Sequence, residues 1–227
     1  MKILDTKTPF KNCDVFQKLS EFFTRGIFMT NEKIYEITCH GRGGQGAITG
    51  ALLLCEVAYA DGYKDVLSIP KIGAERRGAP IKAFSKISRI REIKNFAAVD
   101  DADITIIYDS SLLALPGVAD AIKHGTVLIN TNSEVDLSQF PENTKIYTSP
   151  VTDIALEMNL LASGYPILNV PLLGALSKIK YKDESGENTL GLNLETIREI
   201  ATKKFGSKGE ANYKAAVEAA KRIVELR

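Results

Sequence analysis

The sequence predicts an α/β domain built on a mostly parallel sheet flanked by helices. Three observations carry this expectation. Strand-like runs alternate with helical periodicities along most of the chain. The runs Ile104–Asp109 and Gly125–Thr131 are β-branched and apolar enough to be strands buried on both faces. A glycine-rich stretch at 41–46 joins a strand to a helix, which is the first half of a βαβ unit.

At 227 residues the chain is long enough for one α/β domain with a full core. Its hydrophobic content of 44% and charged content of 25% are ordinary for a globular protein. The net charge of +1 gives no reason to expect nucleic acid or an anionic membrane as the main partner. No stretch has the uninterrupted apolar length of a membrane span. The three cysteines, Cys13, Cys39 and Cys55, lack C-x-x-C spacing and cannot alone supply the four thiolates of a cluster or a structural zinc site. Cys39 and Cys55 read as small buried residues. Neither His40 nor His124 has a metal-ligand spacing; His40 abuts the glycine stretch, where a structural role is favoured over a ligand contact.

Residues 1–32 read as an N-terminal extension to a domain at 33–227. Val15, Phe16, Leu19, Phe22 and Phe23 recur at helical spacing, and Lys18, Glu21 and Arg25 interrupt the apolar run, which argues against a secretory signal. Two readings stay open: a start at Met29, or a docking arm over 1–28.

The first core strand, Tyr35–Cys39, alternates Tyr35, Ile37 and Cys39 onto one face. Gly41, Arg42, Gly43, Gly44, Gln45 and Gly46 follow, and Ala47–Ala60 reads as a helix. Glycines there permit positive φ and leave helix-start N–H groups facing outward, a geometry that suits anions. The spacing is formally the dinucleotide fingerprint G-x-G-x-x-G, which also needs a carboxylate at the end of the second strand. That strand, Val66–Ile69, runs into Pro70-Lys71 instead, which speaks against NAD or FAD. The stretch is then either an anion or partner contact, or a turn that only lets strand and helix pack closely.

The loop 70–80 contains Glu75, Arg76 and Arg77 between glycines and prolines. Paired arginines suit phosphate or carboxylate, and equally suit surface or intersubunit ion pairs. Ile81–Ser88 alternates as a half-buried strand. Asp100, Asp101 and Asp103 precede the next strand, where turn and cap chemistry is favoured over a metal. Asp109-Ser110-Ser111 follows that strand's carboxyl end, a place for a ligand contact or, more ordinarily, a helix cap.

A helix is expected through Val118–Lys123, then strands at Gly125–Thr131 and Lys145–Thr148. Ile154, Ala155, Met158 and Leu161 should line a helix ended by Gly164, with Pro166 beyond. Asn169–Leu176 should open a buried helix, 182–191 a loop. Leu194, Ile197, Ile200 and Ala201 mark one terminal helix, and Tyr213, Ala216, Val217, Ala220, Ile223 and Val224 the last. The result is a single Rossmann-like domain with no evident nucleophile–base pair.

Three stretches in order, GRGGQG at 41–46, GAERRGAP at 73–80 and NVPLLGAL at 169–176, with Asn212 within GEANYKAAVEAA, resemble the gamma subunit of 2-oxoacid:ferredoxin oxidoreductases. The ERRGAP form resembles the pyruvate and branched-chain branches more than the 2-oxoglutarate branch. The resemblance covers roughly 33–225 and implies a reversible oxidative decarboxylation of a 2-oxoacid with coenzyme A, giving acyl-CoA, CO2 and reduced ferredoxin. It implies thiamine diphosphate and iron–sulfur clusters in partner subunits and none in this chain. It further implies alpha, beta and delta (ferredoxin-like) partners, ferredoxin as acceptor, and a cytoplasmic location. The chain itself is expected to contribute no catalytic residue and no metal ligand. Joined to the residue reading, 41–46 with Glu75, Arg76 and Arg77 would face coenzyme A phosphates or only the partner subunits. A 2-ketoisovalerate complex and a stand-alone nucleotide-binding module are the alternatives.

Overall fold

The computed structural model describes residues 33–71, 77–183 and 186–227, which fall within one compact unit. The segment 1–32, and with it Cys13, lies outside the described residues, as do Glu75 and Arg76. Strand β1, Ile34–Arg42, lies inside a seven-stranded sheet of order β11-β6-β5-β4-β1-β3-β2. The others are β2 (Asp65–Lys71), β3 (Pro80–Ser88), β4 (Ile104–Ile107), β5 (Thr126–Asn130), β6 (Lys145–Ser149) and β11 (Val224–Glu225). β1, β4, β5 and β6 pair in parallel. β3 is antiparallel to both β1 and β2, so β2 also runs with β1, and only β3 and the edge strand β11 run against the rest.

The chain leaves β1 by helix α1 (Ala47–Ala60), reaches the far edge as β2, and doubles back as β3 between β2 and β1. It then crosses to β4 on the other side of β1. The gap between β1 and β4 is therefore the point where the winding reverses, the usual ligand crevice of an open α/β sheet. The expected half-buried β3 is buried from Ala83 through Ser88, because it has a strand on each side and a layer of chain over each face. Its polar side chains are matched locally: Ser85 donates to Ala51 O at 2.9 Å, and Lys86 meets Glu36 at 2.7 Å.

Among the described residues all regular helices pack on one face. They are α1, α2 (Val151–Glu157), α3 (Asn169–Leu176), α4 (Leu194–Phe205) and α5 (Gly209–Lys221), and their apolar sides share one core with Tyr35, Ile37, Cys39, Ile104 and Ile106. α1 ends in a Schellman pattern, Tyr63 N–H to Ala58 O and Gly62 N–H to Tyr59 O. α3 is buried at every residue, as its sequence predicts. It touches α5 so closely that a methyl at Gly174 would fall 2.0 Å from Ala216 O.

The opposite face carries a smaller core of Ile107, Val127, Ile129 and Ile146 under Leu112, Val118, Ile122 and Phe140. Here the expectation of a helix through 118–123 fails. The segment is a string of turns after a 3-10 helix at Ser110–Ala114. Pro116 and a left-handed Gly117 (φ +77) stop the backbone just before it, and the piece that remains is too short to nucleate a helix.

Three further expectations are corrected. α2 stops at Glu157; Met158 is exposed, and Leu161 lies in a two-residue strand β7 (Leu161–Ala162) paired with β8 (Tyr165–Pro166). Ser163 and Gly164, both with positive φ, make the tight turn between them rather than a helix end. Within the expected loop 182–191 lies a hairpin of β9 (Tyr181–Asp183) and β10 (Gly186–Asn188), polar enough to hide any alternation. α5 buries Asn212, Ala215, Ala216, Ala219 and Ala220; Tyr213 and Val217 are half-buried, and Val224 is exposed on β11. No described helix is long and apolar enough to cross a membrane.

Candidate functional site at the sheet's carboxyl edge

β1 runs on through Gly41 and Arg42 before turning, so the glycine stretch begins inside the sheet. Gly43 still pairs, donating to Ala79 O at 2.9 Å and accepting from Gly78 N–H at 3.1 Å, which stitches the stretch to the end of the 70–80 loop. Gln45 N–H closes the turn on Arg42 O at 3.0 Å. Gly46 (φ +81) then takes the left-handed conformation that starts α1 without a side-chain cap. Its neighbour in space is Asn169 at the head of α3, 3.3 Å from where a Gly46 methyl would sit. The turn 41–46 thus adjoins both the described end of the second stretch, at 78–79, and the head of the third, at Asn169. The fourth reaches them through the third: Ala216, in the same stretch as Asn212, lies against Gly174, while the Asn212 amide donates to Lys208 O at 2.9 Å just before α5.

Arg42 reaches across the reversal point. Its Nε donates to Asp109 at 2.8 Å, one terminal nitrogen to Ser111 Oγ at 2.8 Å, and the other to Gly78 O at 3.2 Å. Gln45 locks the same group, accepting from Arg42 N–H at 2.7 Å and donating to Asp109 at 3.3 Å. Asp109 also caps the 3-10 helix, accepting from Ser111 N–H at 3.0 Å. Burial alone would raise the Asp109 carboxyl; the hydrogen bonds from Ser111, Arg42 and Gln45 outweigh it and hold the group below its ordinary value. The capping reading of Asp109–Ser111 is what the structure shows, and the cap is also the far half of an ion pair that bridges the crevice between β1 and β4.

Arg77 is exposed and lies along the turn, its side chain about 4 Å from the methyl position of Gly44. Its guanidinium stacks 4.2 Å from the ring centre of Tyr165 on the β7–β8 hairpin. Tyr165 is a site residue that sequence reasoning misses: it is a lone aromatic in a segment without period.

Beside the ion pair a polar cleft of about 330 Å³ opens between Asp109, Ser110, Asn130 and Thr152. Asn130 is committed there, donating to Tyr108 O at 2.8 Å and Thr152 Oγ at 2.7 Å and accepting from Thr152 N–H at 3.0 Å. Burial pushes the Cys39 thiol up to about 12 and Cys55 up to about 11, so neither is a thiolate at neutral pH. Asp103 caps no turn of its own but accepts from Glu36 N–H of β1 at 2.9 Å and pairs with Lys33 at 2.6 Å, and Asp101 pairs with His124 at 3.1 Å. Among the described residues no group of three His, Cys, Asp or Glu could hold a metal.

The family model of pyruvate ferredoxin/flavodoxin oxidoreductase matches residues 36–225. The pyruvate/ketoisovalerate oxidoreductases common subunit gamma of Thermococcus kodakarensis is 36% identical over 195 residues, 83% of this chain and 97% of that protein. Pyruvate synthase subunit PorC of Methanocaldococcus jannaschii is 36% identical over 184 residues, 80% of this chain and 92% of its own. The crystal structure of pyruvate oxidoreductase subunit PORC from Thermotoga maritima is similar with a TM-score of 0.68 at 30% identity, covering 86% of this chain and 99% of that one. A match of this length, with these relatives, means that the chain belongs to the pyruvate ferredoxin/flavodoxin oxidoreductase family.

Proposed function

We propose that this chain is the gamma subunit of a cytoplasmic pyruvate:ferredoxin oxidoreductase. The complex would convert a 2-oxoacid and coenzyme A to acyl-CoA and CO2 while reducing ferredoxin, and would also run in reverse. The observation that carries the reading is that the chain spans nearly the whole of relatives that are themselves named gamma or PorC subunits. Thiamine diphosphate and the iron–sulfur clusters belong to the alpha, beta and delta (ferredoxin-like) partners. Burial pushes the thiols of Cys39 and Cys55 up, which does not suit them as iron–sulfur ligands. The subunit is silent by itself.

Its contribution is made at the carboxyl edge of the sheet. The Arg42–Asp109 pair spans the crevice that a dinucleotide would enter, which disfavours a stand-alone nucleotide-binding module. What the edge offers outward is the turn 41–46 and Arg77, held by Tyr165. This surface docks on the partner subunits, and Arg77 reaches an anionic group of coenzyme A there. Replacing Arg77 by alanine in the complex should raise the KM for coenzyme A several-fold with subunit composition unchanged. A complex that loses the gamma subunit instead would assign Arg77 to docking alone.

A second reading concerns the substrate. The Thermococcus relative is named as common to pyruvate and ketoisovalerate enzymes, so this chain is proposed to serve either complex. Anaerobic purification of the chain from its own cells, followed by ferredoxin reduction with pyruvate and with 2-ketoisovalerate, decides between them. A chain that purifies alone and without activity would overturn the gamma-subunit reading.

A further inference from the structure

The sheet face turned away from the helices presents its side chains in rows across β1, β3 and β2. Register places Glu36 opposite Lys86, Thr38 opposite Phe84, and His40 opposite Lys82, with Lys82 opposite Lys71 in turn. The first row is balanced, since Lys86 Nζ lies 2.7 Å from Glu36 inside the protein. The third row is not. His40, Lys82 and Lys71 stand side by side at the roughly 5 Å spacing of cross-strand neighbours. The row contains no carboxylate, and neither lysine joins any ion pair among the described residues.

These three residues line a cavity of about 170 Å³ with the hydroxyl-bearing Thr38 and Thr105, and Asp100 stands exposed at its rim. Like charges directly opposite in a sheet are destabilising, and a partly desolvated ammonium without a counter-charge is costly. The same imbalance appears in the side chains themselves. Burial and then Lys71 lower Lys82, and burial and then Lys82 lower His40 to about 4, leaving a neutral imidazole.

We propose that this cavity binds a phosphate-type dianion between Lys71 and Lys82, with His40 as a neutral hydrogen-bond donor at its floor. Two ammonium groups outnumber the single Asp100 carboxylate at the rim, and a phosphate group has oxygens enough to bridge both lysines at once. The cavity is below the roughly 300–1,000 Å³ of pockets for drug-sized ligands, so it takes an oxyanion or one terminal phosphate rather than a whole nucleotide. The site is on the other face of the sheet from α1 and is independent of the subunit assignment above.

The sequence has two histidines, so in a full-length His124→Gln chain the imidazole NMR signals belong to His40 alone. At a pH above phosphate's second ionisation, where it is a dianion, sodium phosphate should shift them saturably against sodium chloride at matched ionic strength. Lys82→Gln should weaken the phosphate response about tenfold. Lys71→Gln, at the exposed strand end, should weaken it likewise and serves should the first variant not fold. Phenyl phosphate in place of inorganic phosphate separates a terminal phosphate group from the free ion as the natural source; a saturable response to either supports the site. No shift, an equal shift in chloride, indifference to both lysine substitutions, or a stronger response to pyruvate than to phosphate would overturn the assignment.

Discussion

Asp109 holds two pieces of chain that the sequence keeps 67 positions apart from its partner Arg42. Each of its oxygens is used: one takes Arg42 Nε and Gln45, the other the backbone and hydroxyl of Ser111. Hydrogen bonds to a charged group contribute more than neutral ones, and partial exposure discounts them, so Asp109→Asn should cost about 1–2 kcal/mol at neutral pH. The sign of the pH dependence follows from a folded-state carboxyl held below 3.8. The contribution is fully present above that unfolded-state value and is lost as pH falls through the lower folded-state one. Urea midpoints of parent and variant should therefore differ at pH 7 and converge as pH drops well below 3.8.

Among the elements, the β1–β3 pair shows both what the sequence discloses and what it withholds. Alternation in Tyr35, Ile37 and Cys39 fixes which face of β1 meets α1, and the apolar runs of β4 and β5 fix them as interior strands. The glycine turn and the start of α1 are equally legible, because each rests on neighbours in sequence. Lys82 and Lys86 in β3 look like an exposed face by the same rule, yet Lys86 is 1% exposed. Its burial depends on Glu36, a cross-strand partner that no local period announces. Arg42 with Asp109 and Arg77 with Tyr165 were hidden for the same reason. The turns at 118–123 were misread because a short apolar spacing looks the same whether the backbone completes a helix or is stopped by Pro116 and Gly117 just before it. Removing one member of a buried ion pair typically costs about 3–5 kcal/mol; Glu36 is partly open to water, so Glu36→Gln should cost about 2–3 kcal/mol. Pairing it with Lys86→Met should recover much of the loss in chemical denaturation, since no ammonium is then left buried alone.

At the scale of the whole molecule the sheet is covered unequally. Among the described residues one face lies under five helices and the larger core; the other carries the row of His40, Lys82 and Lys71 and lies under turns and short 3-10 segments. Helix α3 is sealed within the thick side, buried at all of its residues and pressed against α5 at Gly174. Backbone so enclosed opens to solvent only when the molecule as a whole opens. Its amides should accordingly be among the last to take up deuterium, at a rate that follows global unfolding rather than any local breathing. Mass-spectrometric uptake in the peptide covering 169–176 then becomes a gauge of total stability, while peptides around Arg77 and Tyr165 report only events at the edge. Mixing with partner subunits should slow uptake at that edge; a change in α3 as well would mean that assembly stabilises the entire fold.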